Sequence, residues 1–497
     1  MVRRALALLA GFCLAIVAGV APPSGAQGSG PTMLHPRLAV RTAATGLTTP
    51  TSLVFLGPGE MLVLEKNTGR VVRVVDGVVG PSVIDLAVNF ASERGLLGVA
   101  LHPDFPNTPF VYLYWTESTT GADTDVLSET SLLGNRVDRF VWDGNALTFD
   151  RNLIHIRAIQ EDGASEPPGQ GDEGQIARGN HDAGVIAFGP DEKLYILIGD
   201  VGRRGQLQNL PSGPTLTGLG PTVPDDQFGG PQPDDAHFTG VIVRLNDDGT
   251  VPSDNPFFTA GAAIGGEVGA NIQKIFAYGI RNSFGMAFDP LAGHLWAEEN
   301  GEDAFDELNL VEPGMNGGWI QIMGPVGRIA EYKGIETTSL HHEDFPNLQQ
   351  FRWGPERVAD DPAQALSRSF VLPGSHYSDP EFSWKHVLAP AGIGFVSGRA
   401  LGPQFLGDLF VGFSVPEPLG GPLFRFNLTG NRNKIAVDDP RLEDRVADNA
   451  TFHDLIESER LLIGRDFGIV TDIKAGPNGN LFVVSLSNGA IYEIFRR

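Results

Sequence analysis

One pattern of hydrophobic and polar positions recurs along this chain. A small or apolar residue, a proline and a polar turn are followed by Leu or an aromatic residue that opens a run rich in Val, Ile, Phe and Tyr. The pattern occurs six times, at Pro58, Pro103, Pro190, Pro290, Pro403 and Pro477. Short apolar runs that flank Pro, Gly, Asn and Asp turns predict paired strands, and no sustained helical period interrupts them. Recurrence of one strand pair indicates a repeat architecture.

The spacing of these copies, between 45 and 113 residues, leaves room for a four-stranded sheet and its loops in each interval. We therefore predict an all-β fold, a six-bladed β-propeller with long loop insertions, formed as a single domain by residues 27–497. Radial closure of such a fold leaves only short sheet edges. An early strand beginning at Leu38 is expected to complete the last blade beside residues 489–495. A large β-sandwich is the alternative.

Two stretches depart from the repeat. Residues 161–174 are acidic and rich in Pro and Gly, and residues 205–238 are too long and irregular for a turn. Loops of this length are usually mobile or cover a functional face. We expect both to be surface insertions, the second placed over one face of the propeller.

The N-terminal segment, residues 1–26, has the order of a secretory signal peptide. Arg3 and Arg4 precede an apolar run, and small residues follow it around Ala26. The run is shorter than the roughly 18 to 20 residues that span a bilayer. We predict a secreted or periplasmic protein with no membrane span after signal removal. Because Cys13 is the only cysteine, the remaining chain has no disulfide, thiolate metal site or cysteine nucleophile.

The chain is strongly acidic, with a formal net charge of −24. Removing a signal with two arginines and no acidic residue makes the remainder more negative still. Such a field repels nucleic acid and anionic membrane surfaces. It favours a neutral or cationic ligand, or bound calcium.

Polar clusters lie next to the predicted strands, where propeller loops would gather at one end of the central channel. His181 is a candidate general base, with a structural loop histidine as the alternative. Arg281 is a candidate anion clamp, with a structural ion pair as the alternative. The acidic run 298–310 could hold calcium through carboxylates and carbonyls, or it could be a solvated loop. The clusters contain Glu93, Asn180, His181, Arg281, Asn282, Gly301, Glu302, Trp384 and His386.

Several of these segments together resemble a known family. They are GLLGVALHPDF, NHDAGVIAFGPDEKLYILIGD, GVIVRLNDDGTVPSDNPF, AYGIRNSFGMAFDP, DELNLVEPGMNGGW and LAPAGIGF. Their order is similar to that in the soluble sugar dehydrogenases that depend on pyrroloquinoline quinone, the glucose/sorbosone dehydrogenase family. The resemblance extends over about residues 45 to 495 and implies the six-bladed propeller of that family.

The resemblance also implies roles for individual residues. His181 would take the proton from the anomeric hydroxyl of a sugar as hydride passes to the quinone, with Arg281 as the second catalytic residue. Calcium would be bound at Gly301 and Glu302 through backbone carbonyls and would polarise the quinone as a Lewis acid. The residues implied in cofactor binding are Glu93, Asn180, Arg281, Asn282, Trp384 and His386.

The chain also departs from the family pattern. Glu93 stands where the best-known members have glutamine, and Asn180 where they have aspartate. In the family, one lysine and two arginines meet the three carboxylates of the cofactor. The corresponding positions in this chain fall near Val415, Ile469 and Thr471, so these cations are missing. Three charge-assisted hydrogen bonds are worth about 4 to 9 kcal/mol in total, so their loss puts quinone binding in question.

Three functions remain open on these residues. The first is an exported sugar dehydrogenase that oxidises the anomeric carbon of aldoses to lactones, with pyrroloquinoline quinone and calcium. The second is a quinone-free, calcium-binding propeller that acts as a hydrolase or lactonase. The third is a propeller that binds a glycan or a protein and catalyses nothing. The sugar and the electron acceptor of the first are not specified by the sequence.

Overall fold

The described part of the chain comprises residues 30–159, 179–202, 238–319, 321–338, 358–369, 371–416 and 419–497 of a computed structural model. The predicted signal segment and the insertion at 161–174 lie outside these ranges. Of the insertion at 205–238, only Phe238 lies inside them.

The strands form six sheets, and the first four follow one another along the chain. Two early strands, β1 (Thr32–Met33) and β2 (Leu38–Thr45), belong to later sheets. Sheet 1 contains β3 (Pro50–Gly57), β4 (Glu60–Glu65), β5 (Arg70–Val75) and β6 (Val78–Asp85). Sheet 2 contains β7 (Leu96–Leu101), β8 (Phe110–Thr116), β9 (Asn135–Trp142) and β10 (Leu147–Ile156).

Sheets 3 and 4 have the same antiparallel centre with short strands added at the edge. Sheet 3 contains β11 (Ile186–Phe188), β12 (Leu194–Ile198), β13 (Val241–Leu245) and β14 (Ile275–Tyr278). Sheet 4 contains β15 (Met286–Phe288), β16 (Leu295–Glu299) and β17 (Ala304–Val311). Sheet 3 is extended by β18 (Met315–Asn316) and β19 (His376–Tyr377), and sheet 4 by β20 (Phe382–His386).

Sheets 5 and 6 use strands from both ends of the chain. Sheet 5 contains β21 (Pro390–Phe395), β22 (Leu409–Phe413), β23 (Leu423–Thr429) and β24 (Lys434–Ala436). The next strand, β25 (Val446–Ala447), joins sheet 4, and β26 (Leu462–Arg465) links sheet 5 to β1. Sheet 6 contains β27 (Val470–Ala475), β28 (Leu481–Ser485), β29 (Ala490–Arg496) and β2.

The helices are short and lie in connections between strands. The first two, α1 (Phe258–Ile264) and α2 (Gly266–Ile272), lie between β13 and β14. The other two, α3 (Ile329–Thr338) and α4 (Pro362–Arg368), lie between β18 and β19. Single 3₁₀ turns occur at Val326–Arg328, Pro403–Phe405, Pro440–Leu442 and Glu459–Leu461. Among the described residues, none of the helices combines the length and apolar character needed to cross a bilayer.

The first strands of the six sheets surround a central channel. Each of β3, β7, β11, β15, β21 and β27 contacts the next, and β27 contacts β3, so the ring closes. Residues of all six strands line one cavity. An all-β propeller is therefore confirmed, and the alternative of a β-sandwich is wrong because its two sheets would not enclose a channel.

The sequence repeat corresponds to one position in this architecture. Each of the six prolines of the repeat lies between the first and second strand of a sheet, beginning with Pro58 between β3 and β4. The early strand also lies where it was expected, because β2 pairs with β29 from Leu38 opposite Arg496. Pairing of an N-terminal with a C-terminal strand ties the two ends of the chain together within sheet 6.

Candidate active site

The polar cluster forms where the first two strands of neighbouring sheets meet the same end of the channel. Because β11 and β12 are antiparallel, a residue before β11 lies next to a residue after β12, and this brings His181 to Asp200. In sheet 4 the same geometry joins Asn300 N–H to the carbonyl oxygen of Asn282 at 2.8 Å. A Cβ at Gly199 would lie 2.5 Å from the carbonyl oxygen of His181, so only glycine permits this close approach.

His181 is held by a carboxylate. It is 4% exposed, has a φ of 60°, and its Nδ1 lies 2.7 Å from Asp200 Oδ1. Asp200 also accepts hydrogen bonds from Gly202 N–H at 2.8 Å and from Trp319 Nε1 at 2.9 Å. Burial raises the pKa of Asp200 to about 7, and the neighbouring Arg281 guanidinium limits that rise. When ionised, this carboxylate can only accept, so the hydrogen of the imidazole is held on Nδ1.

The sequence neighbours of His181 have other surroundings. Asp182 is fully buried and its Oδ1 accepts from Asn135 Nδ2 at 2.7 Å. Burial raises its pKa to about 6. The Oδ1 of Asn180 lies 2.0 Å from where a Cβ on Gly202 would be. The carboxylate that orients the His181 ring is thus Asp200, which sequence analysis did not identify. Its position directly after the apolar run LYILIG was the signal in the sequence that could have revealed it.

Glu93 connects two loops of the cluster. Its Oε2 accepts from the backbone N–H of His181 at 2.6 Å and from Asn282 Nδ2 at 3.2 Å. Burial raises the pKa of Glu93, and His181 is the strongest influence in the opposite direction. Among the described residues, the buried Oδ1 of Asn282 has no hydrogen-bond partner. The structure therefore brings together five of the predicted site residues: His181, Arg281, Glu93, Asn282 and Glu302, which pairs with Arg281.

Arg281 is anchored on three sides. Its guanidinium donates to Glu302 Oε2 at 2.6 Å and to the carbonyl oxygen of Asn300 at 2.9 Å. It also lies 5.5 Å from the centre of the Trp319 ring, the same indole that donates to Asp200. Arg281 therefore forms the ion pair that was its alternative role, and it does so beside the partner of His181.

The acidic run 298–310 is not a solvated loop. Most of it lies in β16 and β17, and Glu298, Glu299, Asp306 and Glu307 are all buried. Asp306 accepts N–H donors from Gly301 at 2.9 Å, from Ala389 at 2.7 Å and from Leu388. Burial raises its pKa to about 6. These carboxylates satisfy backbone donors between strands, which their spacing in the sequence does not reveal.

The side chains near Gly301 and Glu302 do not form a calcium site, and the expected binding through their backbone carbonyls stays a prediction. In the ranges that the structure describes, no three His, Cys, Asp or Glu side chains lie close enough together to hold a metal. The carboxylate of Glu302 is paired with Arg281, and Gly301 N–H is directed at Asp306. We therefore derive no step through calcium.

Two further predicted cofactor residues belong to the packing of sheet 4. Trp384 is fully buried, and its ring lies 4.9 Å from that of Phe382 and 5.8 Å from that of Phe413. His386 ends β20, where its N–H donates to Asn449 Oδ1 at 2.8 Å, and burial lowers its pKa. A ring enclosed by aromatic neighbours has no surface for a cofactor, so Trp384 is left out of the site proposed below.

The channel wall away from His181 has few cations. Ile469 and Thr471 line the channel, as does Ser414, which directly precedes Val415. The expected cation positions thus present uncharged side chains. Two lysines that sequence analysis missed also line the channel, Lys66 and Lys474. Lys66 directly follows the second strand of sheet 1, as Asn300 follows that of sheet 4, and this position in the repeat was the signal that could have revealed it.

The residues present fit a carboxylated quinone in part. The buried Asn282 Oδ1 lacks a donor, which a polar ligand can supply. Lys66 is a buried ammonium in the channel wall that donates to neutral oxygens, so an anionic ligand can add to its contacts. Lys474 is already close to a carboxylate, with Nζ 3.4 Å from Asp472 Oδ1. The channel therefore offers fewer cations than three carboxylates would need.

Comparison with known proteins gives a consistent assignment. The sequence model of the family described as "Glucose / Sorbosone dehydrogenase" matches residues 47–353. The uncharacterized protein slr1608 of Synechocystis is 28% identical over 91% of this chain and 85% of its own length. Quinoprotein glucose dehydrogenase B of Acinetobacter calcoaceticus is 28% identical over 56% of this chain, which spans about half of that protein (52%). Aldose sugar dehydrogenase YliI of Escherichia coli is 24% identical over 82% of this chain and 78% of its own length.

Solved structures share the fold. The apo form of the soluble aldose sugar dehydrogenase of E. coli superposes with a TM-score of 0.58 at 22% identity, over 93% of this chain and all of that one. The quinone-bound aldose sugar dehydrogenase of Streptomyces coelicolor gives a TM-score of 0.53 at 23% identity, over 93% and 99% of the two chains. With a family match over more than half of its length, this chain belongs to the glucose/sorbosone dehydrogenase family.

Proposed function

We propose that this protein is an aldose dehydrogenase that oxidises the anomeric carbon of a sugar to the lactone. The observation that carries the proposal is the 2.7 Å contact of His181 Nδ1 with Asp200 Oδ1, formed beside the channel within the polar cluster. Membership of the glucose/sorbosone dehydrogenase family supports the same reaction class.

His181 would act as the general base. With the hydrogen on Nδ1 held by Asp200, Nε2 is the nitrogen that would take the proton from the anomeric hydroxyl. As that O–H bond breaks, the C1–H bond would break as well, its electron pair would leave with the hydrogen as hydride, and the ring carbon would become the lactone carbonyl. Arg281 would lie close to the developing negative charge, and Glu302 would keep its guanidinium in position.

Pyrroloquinoline quinone, when bound, would supply the two-electron acceptor for this hydride. Asn282 and Arg281 would contact it from the polar cluster, and Lys66 lies in the channel wall where a carboxylate would be met. The quinone-bound form of the S. coelicolor relative supports this choice of acceptor. The protein that reoxidises the quinone stays unspecified.

A quinone-free hydrolase or lactonase is the second candidate, favoured by one observation. Ile469 and Thr471 line the channel without a charge, so the wall that should hold a tricarboxylate lacks most of its cations. His181 would then activate a water molecule instead of a sugar hydroxyl. A binding module without catalysis gains no support from a buried, carboxylate-oriented histidine.

Three broader features are part of the same proposal. Each of the six sheets would be one blade of the propeller, supported by the closed ring of first strands. Residues 27–497 would form one domain, supported by the pairing of β2 with β29. The protein would be exported by residues 1–26, and N-terminal sequencing of the protein recovered outside the cytoplasm tests this directly.

The test is titration calorimetry of pyrroloquinoline quinone into the protein, followed by a dye-linked assay with a panel of aldoses. Micromolar or tighter binding, with turnover that is lost in His181→Ala, is the expected result. Absence of quinone binding, combined with lactone or ester hydrolysis that depends on His181, would replace the dehydrogenase by the second candidate.

A further inference from the structure

Among the described residues, Lys66 is a buried ammonium that forms no ion pair, although the carboxylates of Glu93 and Asp182 and the guanidinium of Arg94 act on it electrostatically. The residue is 3% exposed, and its Nζ lies 3.0 Å from the carbonyl oxygen of Ser92, 3.3 Å from that of Phe90 and 3.4 Å from Asn67 Oδ1. Within the described ranges it takes part in no ion pair, although it lines the channel. A buried charge is normally paired, since the desolvation penalty is otherwise uncompensated. The burial lowers the pKa of Lys66 to about 8.

Lys66 lies close to Thr471, one of the uncharged residues at the positions where the family has arginines. Thr471 Oγ1 donates to the carbonyl oxygen of Pro50, at the start of β3. The adjacent carbonyl, that of Thr49, accepts from Lys66 N–H at 2.9 Å. Lys66 and Thr471 therefore lie at the same level of the channel, on neighbouring sheets.

The second lysine of the channel has a different environment. Lys474 is half-buried, and its Nζ lies 3.4 Å from Asp472 Oδ1. Asp472 is itself fixed by Ser52 Oγ, which donates to its other oxygen at 2.7 Å. Lys474 thus has its counter-charge within the protein and serves as a natural control for Lys66.

We propose that Lys66 is the anion-binding residue of the channel and receives a carboxylate of the bound small molecule, replacing from sheet 1 the cations absent at Ile469 and Thr471. The carboxylate comes either from the quinone, which rests on the proposed function, or from an acidic sugar. Both present the same chemistry to the ammonium. The neighbouring Glu93 disfavours anions in general, so the subsite selects a carboxylate that can reach Lys66 Nζ directly.

The first experiment compares two ligands and four proteins. Pyrroloquinoline quinone and its trimethyl ester are titrated by fluorescence quenching into wild type, Lys66→Met, Lys66→Arg and Lys474→Met. One charge-assisted hydrogen bond changes affinity by about 10-fold to 100-fold. We expect this loss for the free acid in Lys66→Met, a smaller loss in Lys66→Arg, none in Lys474→Met, and no dependence on Lys66 for the ester. Equal binding of the acid to wild type and Lys66→Met would overturn the inference.

A second ligand pair separates failure of this inference from failure of the proposed function. If wild type does not bind the quinone, that cofactor assignment fails, and glucuronate is then compared with glucose by calorimetry. Binding of glucuronate that is lost in Lys66→Met supports the subsite with an acidic sugar as its ligand. No binding of either anion to wild type, or binding that does not depend on Lys66, overturns it.

A pH series on wild type decides the case if Lys66→Met does not fold. Because an ammonium with a pKa near 8 loses its proton above that pH, affinity for the anionic ligand is expected to fall from pH 7 to pH 9. Affinity for the ester or for glucose is the reference and is expected to stay level. An anion affinity as level as the reference contradicts the inference.

Discussion

Two walls of the channel differ in how their charges are compensated. The reaction wall is the cluster of Glu93, which lines the channel cavity, and the buried residues His181, Asp200, Arg281 and Asn282. The lysine wall consists of Lys66, Ser414, Ile469 and Thr471, which all line the cavity. On the reaction wall the charged groups meet each other, as in the contacts of His181 with Asp200 and of Arg281 with Glu302. On the lysine wall the ammonium of Lys66 donates hydrogen bonds to neutral oxygens, and the carboxylates of Glu93 and Asp182 act on it without an ion pair among the described residues.

This difference shows which wall is complete without a ligand. Preorganised groups favour chemistry, because little reorganisation is needed when charge develops. A buried ammonium that forms no ion pair favours binding, because an anion of the ligand reduces the desolvation penalty that remains. We therefore expect substitutions on the reaction wall to lower kcat and substitutions on the lysine wall to change ligand affinity.

The largest effect is expected from His181→Ala on the reaction wall. General-base catalysis contributes about 100-fold to 10,000-fold to a rate, so kcat should fall by that factor in the dye-linked assay. Ligand affinity should change little, since the lysine wall is intact. His102→Ala is the control: His102 Nε2 lies 3.8 Å from Asp247 Oδ2, outside the reaction wall. Equal loss in both variants would mean that His181 supports only the fold.

Asp200→Asn should give the next largest effect and a diagnostic pH profile. An amide of similar shape cannot carry the charge that keeps hydrogen on Nδ1, so we expect a loss in kcat of roughly 100-fold. In wild type, kcat/KM should fall as the pH is lowered through about 7, because Asp200 is then protonated. That acidic limb should move in the variant, because the imidazole of His181 must still be unprotonated to act as the base. If it persists unchanged, another group controls it.

A new cation on the lysine wall tests whether this wall binds the anionic groups of the ligand. Ile469→Arg faces the channel beside Thr471, and one new charge-assisted contact should tighten quinone binding by about 10-fold or more. Ile469→Met is the matched control of similar length without charge. The gain should disappear with the trimethyl ester. Equal affinities of the Arg and Met variants for the free acid would show that this wall does not meet a carboxylate.

The repeat made the architecture predictable. Six prolines at equivalent positions mark the first turn of each sheet, and the alternation around them is enough to indicate strands. His181, Arg281 and Asn282 could be found because each stands next to one of these repeats. The pairing of β2 with β29 followed from the need to close a ring.

The partners of these residues could not be predicted in the same way. Asp200 reaches His181 across the β11–β12 pair of sheet 3, and Trp319 reaches Asp200 from 119 residues farther along the chain, so the separation in the sequence hides both contacts. Trp384 was predicted as a site residue because it lies in a polar cluster next to a predicted strand, but its ring packs against Phe382 and Phe413. Lys66 was missed because a lysine after a strand is ordinarily exposed, and only the closed ring buries it.

The smallest predicted effect, on stability against pH, concerns the carboxylates behind the reaction wall. Burial raises the pKa of Glu307 to about 7 and that of Asp306 to about 6. Such groups ionise near pH 4 in the unfolded chain. The folded state therefore binds more protons between pH 4 and pH 7, and stability falls as the pH rises through that range.

The expected observation is a Tm that declines by a few degrees from pH 5 to pH 8, with a shallower decline in Glu307→Gln. Asn309 donates to Glu307 at 2.9 Å and can turn its amide to accept from the new side chain. Asp439→Asn is the control, because Arg441 lowers the pKa of Asp439 to about 2 and its contribution is lost only in acid. A Tm that rises steadily from pH 5 to pH 8 would mean that these carboxylates ionise without cost in the folded chain. The carboxylates behind the reaction wall would then be ionised and solvated in the folded protein. The environment of the charged groups would no longer distinguish the reaction wall from the lysine wall.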